Sequence, residues 1–181
     1  MKTFEQYINE SRQKYIFGGT DDRNAIVYNY SPKDREELVK LMEKLIKERG
    51  DEGDFNDIDT SEVTDMSLTF YFAKTFNGDI SSWDTSNVTV MSNMFGNADR
   101  FNKDISAWDT SNVTSMCAMF IDAKSFNQDI SNWDTSKVKD MSYMFDNCWR
   151  VASLDVSGFD TSNVTDMCCM FIACQEITTL N

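Results

Sequence analysis

A chain of 181 residues with 41% hydrophobic and 26% charged side chains has the size and composition of one globular domain with a real core, not of a disordered or fibrous protein. It contains no histidine, which excludes His-based triads and His-ligated metals, and no apolar run approaches the ~18–20 residues that span a bilayer. A formal net charge of −13 opposes direct binding to nucleic acid or an anionic membrane.

The first residues, MKTFEQYINESR, lack the continuous apolar stretch of a secretory signal, so the expectation is an unsecreted chain. Residues 1–14 read as an amphipathic segment, with Phe4, Tyr7, Ile8 and Tyr15 along one side of a helix over Lys2 to Lys14. Residues 15–54 read as a strand-and-helix cap. Ala25 to Tyr30 alternates as a strand, and Ser31 followed by Pro32 reads as a helix start. Leu38, Leu41, Met42, Leu45 and Ile46 then form the stripe of a packed helix that ends at Gly50. The acid-rich run Asp51 to Asp57 lacks the spacing and the closing glutamate of a calcium loop.

From residue 55 the chain repeats. Asp-Thr-Ser recurs at Asp59, Asp84, Asp109, Asp134 and Asp160, at spacings of 25, 25, 25 and 26. The units FNGDISSWDTSNVTVMSNMFGNADR, FNKDISAWDTSNVTSMCAMFIDAKS and FNQDISNWDTSKVKDMSYMFDNCWR agree at more than ten positions. Such a period predicts a solenoid, in which each unit buries its apolar side only against its neighbours. The predicted ladders are Val63, Val88, Val113, Val138 and Val164; Met66, Met91, Met116, Met141 and Met167; and Phe70, Phe95, Phe120, Phe145 and Phe171. Ala73, Ala98, Ala123, Cys148 and Cys174 form a small-residue rung. Ile80, Ile105, Ile130 and Val156 form an aliphatic one, and Trp83, Trp108, Trp133 and Phe159 an aromatic one. Within a unit, Asp-Ile-Ser reads as a short strand, Met91 to Phe95 as one helical turn, and Asp-Thr-Ser-Asn as a turn that bonds its own backbone. Stacked Asn87, Asn112 and Asn163 are expected to bond the backbone of a neighbouring unit. The five cysteines, Cys117, Cys148, Cys168, Cys169 and Cys174, contain no Cys-x-x-Cys pair and are expected as reduced, buried packing residues. No cofactor or metal is implied.

These units resemble the BspA-like leucine-rich repeat family, in its Asp-Thr-Ser-Asn-Val-Thr-x-Met subtype, over residues 55–181, and VASLDVSGFDTSNVTDMCCMF is the stretch most like it. The resemblance implies an α/β repeat fold: a one-sided, right-handed solenoid of about five 25-residue coils with a ladder of short parallel strands, here with a small α/β N-terminal cap. It also implies surface recognition by a non-enzymatic module, since members are typically bacterial or protist surface proteins and some are encoded by phages. The first ten residues, Met-Lys-Thr-Phe-Glu-Gln-Tyr-Ile-Asn-Glu, look like the capsid-targeting peptide of T-even-like phage internal proteins. That likeness implies processing at Ile8-Asn9-Glu10, before Ser11, and packing in a phage head.

Charge points to a surface. Residues 1–54 hold ten Lys+Arg and twelve Asp+Glu, a net of −2, whereas residues 55–181 hold seven and eighteen, a net of −11. Asp79, Asp104, Asp129 and Asp155 precede the inward aliphatic rung, so alternation puts them on the outer face of the expected strand ladder. With Lys103 and Gln128 beside them they are the candidate partner-binding residues, facing a protein with a basic patch. Hydrolysis by paired carboxylates would need two acids across a cleft, which a one-sided ladder does not offer, so the expectation is no enzymatic activity. Two settings stay open: a phage protein in the virion interior or host cytoplasm acting on a host protein, and an adhesin-like bacterial surface module that binds a glycan or host protein.

Overall fold

The computed structural model describes residues 27–150, 153–176 and 179–180. The expected N-terminal amphipathic helix and the processing residues Ile8, Glu10 and Ser11 lie outside the described residues.

Helix α1 spans Arg35–Arg49 and begins later than Ser31-Pro32 suggested. Asp34 is the cap: its carboxylate accepts the Glu37 N–H at 2.9 Å, while the Glu37 side chain accepts the Lys33 N–H at 2.9 Å. Acidic Glu36 and Glu37 lie in the first turn and basic Lys47 and Arg49 in the last, as the helix dipole favours. Gly50 ends the helix at φ 81°, a backbone setting that costs glycine little, and its N–H bonds Ile46 O. Leu38, Leu41, Met42 and Leu45 are buried in one continuous core with Phe55 and Ile58. Each such side chain contributes roughly 1.5–3 kcal/mol through its removal from water. Arg49 locks the helix end. Its guanidinium bonds both Asp57 oxygens at 2.6 and 3.0 Å and Asp54 O at 2.8 Å, and it lies over the Tyr30 and Phe55 rings. The expected strand before the helix reduces, in its described part, to a single parallel bridge between Tyr30 and Ile58.

The expected α/β leucine-rich-repeat-like solenoid with its strand ladder is not the architecture found. Among the described residues there is one helix and two strands of two residues each, β1 at Ser153–Leu154 and β2 at Thr179–Leu180, paired in parallel. The rest is turns, irregular chain and isolated bridges. Asp-Ile-Ser does not extend into a strand, because its aspartate takes the N–H two residues on, at Ser81, Ser106 and Ser131, and bends the chain there. The recurring parallel bridges fall elsewhere, one residue per unit, at Asp65, Val90, Ser115, Asp140 and Asp166.

Met91 to Phe95 is likewise not a helical turn. The N–H groups of Met91, Asn93, Phe95 and Asn97 donate to Ser115, Cys117, Met119 and Ile121 carbonyls of the next unit, at 3.0, 2.9, 2.9 and 2.7 Å. The intervening N–H groups of Met94, Gly96 and Ala98 turn back to carbonyls three residues earlier, at 3.2, 3.1 and 3.0 Å. This run of overlapping tight turns needs left-handed backbone at two residues per unit, Asn93 (φ 55°) and Asn97 (φ 59°). The same setting recurs at Leu68 and Phe72, Ala118 and Asp122, Tyr143 and Asn147, and Cys169 and Ala173. Consecutive tight turns and a helix share the i, i+3 contact, which is why the apolar spacing alone read as helical.

The residues at equivalent positions do pack in register. Phe70, Phe95, Phe120, Phe145 and Phe171 stack with centroids 5.4, 5.6, 5.6 and 5.7 Å apart and rings within 7° of parallel. A second column, Phe76, Phe101 and Phe126, stands beside it, with Phe95–Phe101 and Phe120–Phe126 at 3.9 Å. Neither this column nor the buried Met94, Met119 and Met144 row was among the ladders read from the sequence. Polar rungs close the account of buried groups. Thr60, Thr85, Thr110 and Thr135 are buried and donate to the main chain of the following unit at 2.9–3.2 Å. The indoles of Trp83, Trp108 and Trp133 donate to Phe55, Ile80 and Ile105 carbonyls. Asn87, Asn112 and Asn163 bond Ser61, Ser86 and Ser136 carbonyls, each in the preceding unit. Among the described residues no buried side-chain polar atom lacks a partner.

Cys148 is buried and Cys174 half-buried; their thiols bond Phe120 and Phe145 carbonyls, and burial pushes both pKa values up. The expectation of uniform cysteine burial fails elsewhere: Cys168 is exposed, and Cys117 and Cys169 are half-exposed.

Candidate functional site

Asp79, Asp104, Asp129 and Asp155 occupy the same position in successive units, and each is tied to its own turn. Asp79 accepts the Ser81 N–H at 3.0 Å and its hydroxyl at 2.8 Å. Asp104 and Asp129 accept the Ser106 and Ser131 N–H groups at 2.9 Å. Asp155 accepts the Ser157 N–H at 3.0 Å and hydroxyl at 2.7 Å. In every case Oδ1 accepts these bonds. Asp104, Asp129 and Asp155 are exposed and Asp79 is half-buried.

The electrostatics of the row decide which effect wins. Bonds from the serine two residues on hold all four carboxyls below the usual aspartate range. Like-charge repulsion is present too: Asp129 and Asp79 push Asp104 upward, by less than the Ser106 bonds pull it down. The carboxylates therefore stay ionised in a column of negative charge because each is locally hydrogen-bonded.

Lys103 and Gln128 flank the row. Lys103 lies 4.0 Å from Glu52 and helps hold the Asp79 carboxyl low, and Gln128 donates to Asn102 Oδ1 at 2.9 Å. Gln128, Asp129 and Asp155 meet, with Asn127 and Ser131, around an open polar depression of about 280 Å³. Asp79 and Lys103 lie outside that depression, further along the row. Two more aspartate rows behave alike: Asp59, Asp84, Asp109, Asp134 and Asp160, and Asp65, Asp140 and Asp166, each accept the N–H two residues on. The acidity of the repeats thus has a structural origin in the turns. Among the described residues no group of three or more Cys, Asp or Glu converges as a metal site.

A second surface feature was not read from the sequence. Leu68, Tyr71 and Phe72 are exposed together, with Tyr71 and Phe72 ring centroids 4.4 Å apart at 68°. The Tyr71 ring lies over Gly96, where an added Cβ would come within 2.8 Å of it. The period carried a signal for them, since the next unit holds Asn93, Gly96 and Asn97 at the equivalent positions, none of them a large apolar residue. The three side chains point outward because the left-handed residues Leu68 and Phe72 reverse the chain there.

Units that pack only on their neighbours, with polar side chains wired to the next unit's backbone, define a repeat protein. The chain belongs to the family described as Mycoplasma protein of unknown function, DUF285, whose model matches residues 39–154 and 105–180. This is the BspA-like repeat family in family-model terms. No curated protein and no solved structure matches the chain.

Proposed function

We propose that the chain is a non-enzymatic protein-interaction module whose aspartate row engages a partner carrying clustered Lys or Arg. One observation carries this reading: the four carboxylates recur in register, each with Oδ1 committed to its own serine turn. A charge held by its turn costs little further ordering when a partner arrives. Successive units stack their phenylalanine rings 5.4–5.7 Å apart, inside the ~8–10 Å Debye length at physiological salt, so carboxylates at equivalent positions act together on an incoming basic patch. The net charge of −13 favours fast encounter with such a patch and disfavours nucleic acid and anionic membranes.

The test replaces Asp104 and Asp129 with Asn. Asparagine keeps the Oδ1 acceptor and so the turn, while the charge is removed. With an Arg-rich peptide as probe, the double variant is expected to bind several-fold more weakly and with a shallower salt dependence. Equal affinity and equal salt dependence would reduce the row to turn chemistry.

The setting favoured by the N-terminal resemblance is phage-encoded, packaged in the virion and acting on a host protein in the cytoplasm. Mass spectrometry of the protein from virions tests it: a mature N-terminus at Ser11 supports the reading, and an intact Met1 or Lys2 terminus opposes it. Membership of the BspA-like family favours the second setting, an adhesin-like bacterial surface module. Surface labelling of intact cells that express the gene tests that one.

A further inference from the structure

We propose that Cys168 and Cys169 are a modification site: a vicinal dithiol that closes to a disulfide by exchange with a low-molecular-weight disulfide such as oxidised glutathione. The two Sγ atoms lie 3.1 Å apart, and Cys168 is exposed while Cys169 is half-exposed. The pair sits on the run of overlapping turns, where Cys169 has φ 61° and the Cys168 N–H is held by Asp166 at 2.9 Å. The left-handed setting of Cys169 belongs to this position in every unit, so the turn orders the pair before any reagent arrives.

The chemistry balances without a further reactant. The Cys168 thiolate attacks one sulfur of glutathione disulfide, forming a mixed disulfide and releasing one glutathione thiolate. The Cys169 thiolate then attacks Cys168 Sγ, forming the Cys168–Cys169 bond and releasing the second glutathione. The two cysteines are oxidised and the glutathione disulfide is reduced to two thiols, which take up the two cysteine protons. The second step is intramolecular between atoms already near attack distance, so the mixed disulfide is short-lived. Adjacent Cα atoms on a trans peptide are about 3.8 Å apart, below the roughly 4.4 Å minimum usual for disulfides. The closed ring is accordingly tight and readily reduced, the property of a regulatory bond and not of a brace. A tetrahedral metal is the poorer ligand: with metal–sulfur bonds of about 2.3 Å its sulfurs stand roughly 3.8 Å apart, and here only two sulfurs are offered.

The experiment treats the reduced full chain with glutathione disulfide and follows intact mass and peptide maps. The expected product has lost two hydrogens, both in the peptide that holds Cys168 and Cys169, and excess reduced glutathione restores it. Cys168→Ser copies Ser67, Ser92 and Ser142 at the equivalent position, and Cys169→Asn copies Asn93, so both variants keep the local fold. Cys169→Asn is expected to retain a stable glutathione adduct at Cys168, and Cys168→Ser to lose the closure altogether. A lasting adduct on the unaltered chain would overturn the proposal, as would a disulfide to Cys117 or Cys174 or a closure that survives in either variant.

Discussion

Replacing Phe120 with alanine tests whether the aromatic column is the main brace of the repeats. Phe120 is fully buried, and its ring meets Phe126 at 3.9 Å, Phe95 and Phe145 at 5.6 Å each, and Trp133 at 6.2 Å. Truncating a core phenylalanine costs about 3–5 kcal/mol. Four ring partners, each worth about 0.5–1.5 kcal/mol beyond area, put Phe120→Ala at the upper end of that range. Phe171 occupies the same position in the fifth unit but is only partly buried and, among the described residues, stacks on Phe145 alone, at 5.7 Å. The same substitution there is expected to cost about 1–3 kcal/mol, half a side chain's burial plus one aromatic pair. Against a total stability of about 5–15 kcal/mol, the two variants should separate clearly in urea. Fluorescence of the buried Trp83, Trp108 and Trp133 is the suitable signal, because the described residues hold little regular structure beyond α1 to give circular dichroism. Repeat arrays can unfold in parts, so midpoint and slope should be compared together. A Phe120→Ala cost below about 2 kcal/mol, or one no larger than that of Phe171→Ala, would refute the column as the source of stability.

Phe72 holds φ 61° while 56% exposed, where Asn97 and Asn147 stand in other units; Phe72→Asn should stabilise by about 0.5–1 kcal/mol, read as a higher melting temperature. Thr110→Val keeps shape but leaves the Asp134 carbonyl without its 3.0 Å hydroxyl donor, so a loss of about 1–2 kcal/mol is expected in the same urea assay. Arg49→Lys removes the two-point grip on Asp57 and the stacking over Tyr30 and Phe55; a loss of about 1–2 kcal/mol is expected, and an unchanged midpoint would show the grip to be idle. Acid should weaken the fold: bonds from the following serines depress Asp79, Asp104, Asp109, Asp129, Asp134, Asp155 and Asp160 below their unfolded values of about 3.9. Below that pH the unfolded chain binds more protons, so their contribution is present above about pH 4 and is lost as pH falls through the folded values. Asp146, raised by burial and by Asp122, acts in the opposite direction and is outnumbered. A urea midpoint at pH 3 equal to that at pH 7 would contradict the assignment.

Where the chain follows a period, the sequence was a sound guide. The 25-residue repeat put Phe95, Phe120 and Phe145 in one column and the Asp79, Asp104, Asp129 and Asp155 carboxylates in one row, because identical units packed alike superimpose identical side chains. The apolar stripe of α1 was legible for the same reason, whereas its start was not. Asp34 with Glu37 three residues on satisfies the first N–H groups better than Ser31 before Pro32, a choice made by hydrogen bonding and not by pattern. Periodicity also misled: Asp-Ile-Ser has strand composition, but the aspartate side chain competes for the backbone and wins, turning the chain at Ser81, Ser106 and Ser131.

The amino-acid sequence by itself determined the repeat, its register, the family and the surplus of negative charge, since these depend only on which residues recur and how often. Only the tertiary structure decided that the aspartates hold turns and that Met91 to Ala98 alternates bonds within and between units. It also decided that Cys168 stands exposed and Cys169 half-exposed with their sulfurs 3.1 Å apart while Cys148 is buried. The physical reason is the sign of φ at two residues per unit. A residue's identity biases that choice weakly, as the spread from Asn93 to Tyr143 and Phe72 shows, and hydrogen bonds to the next unit settle it.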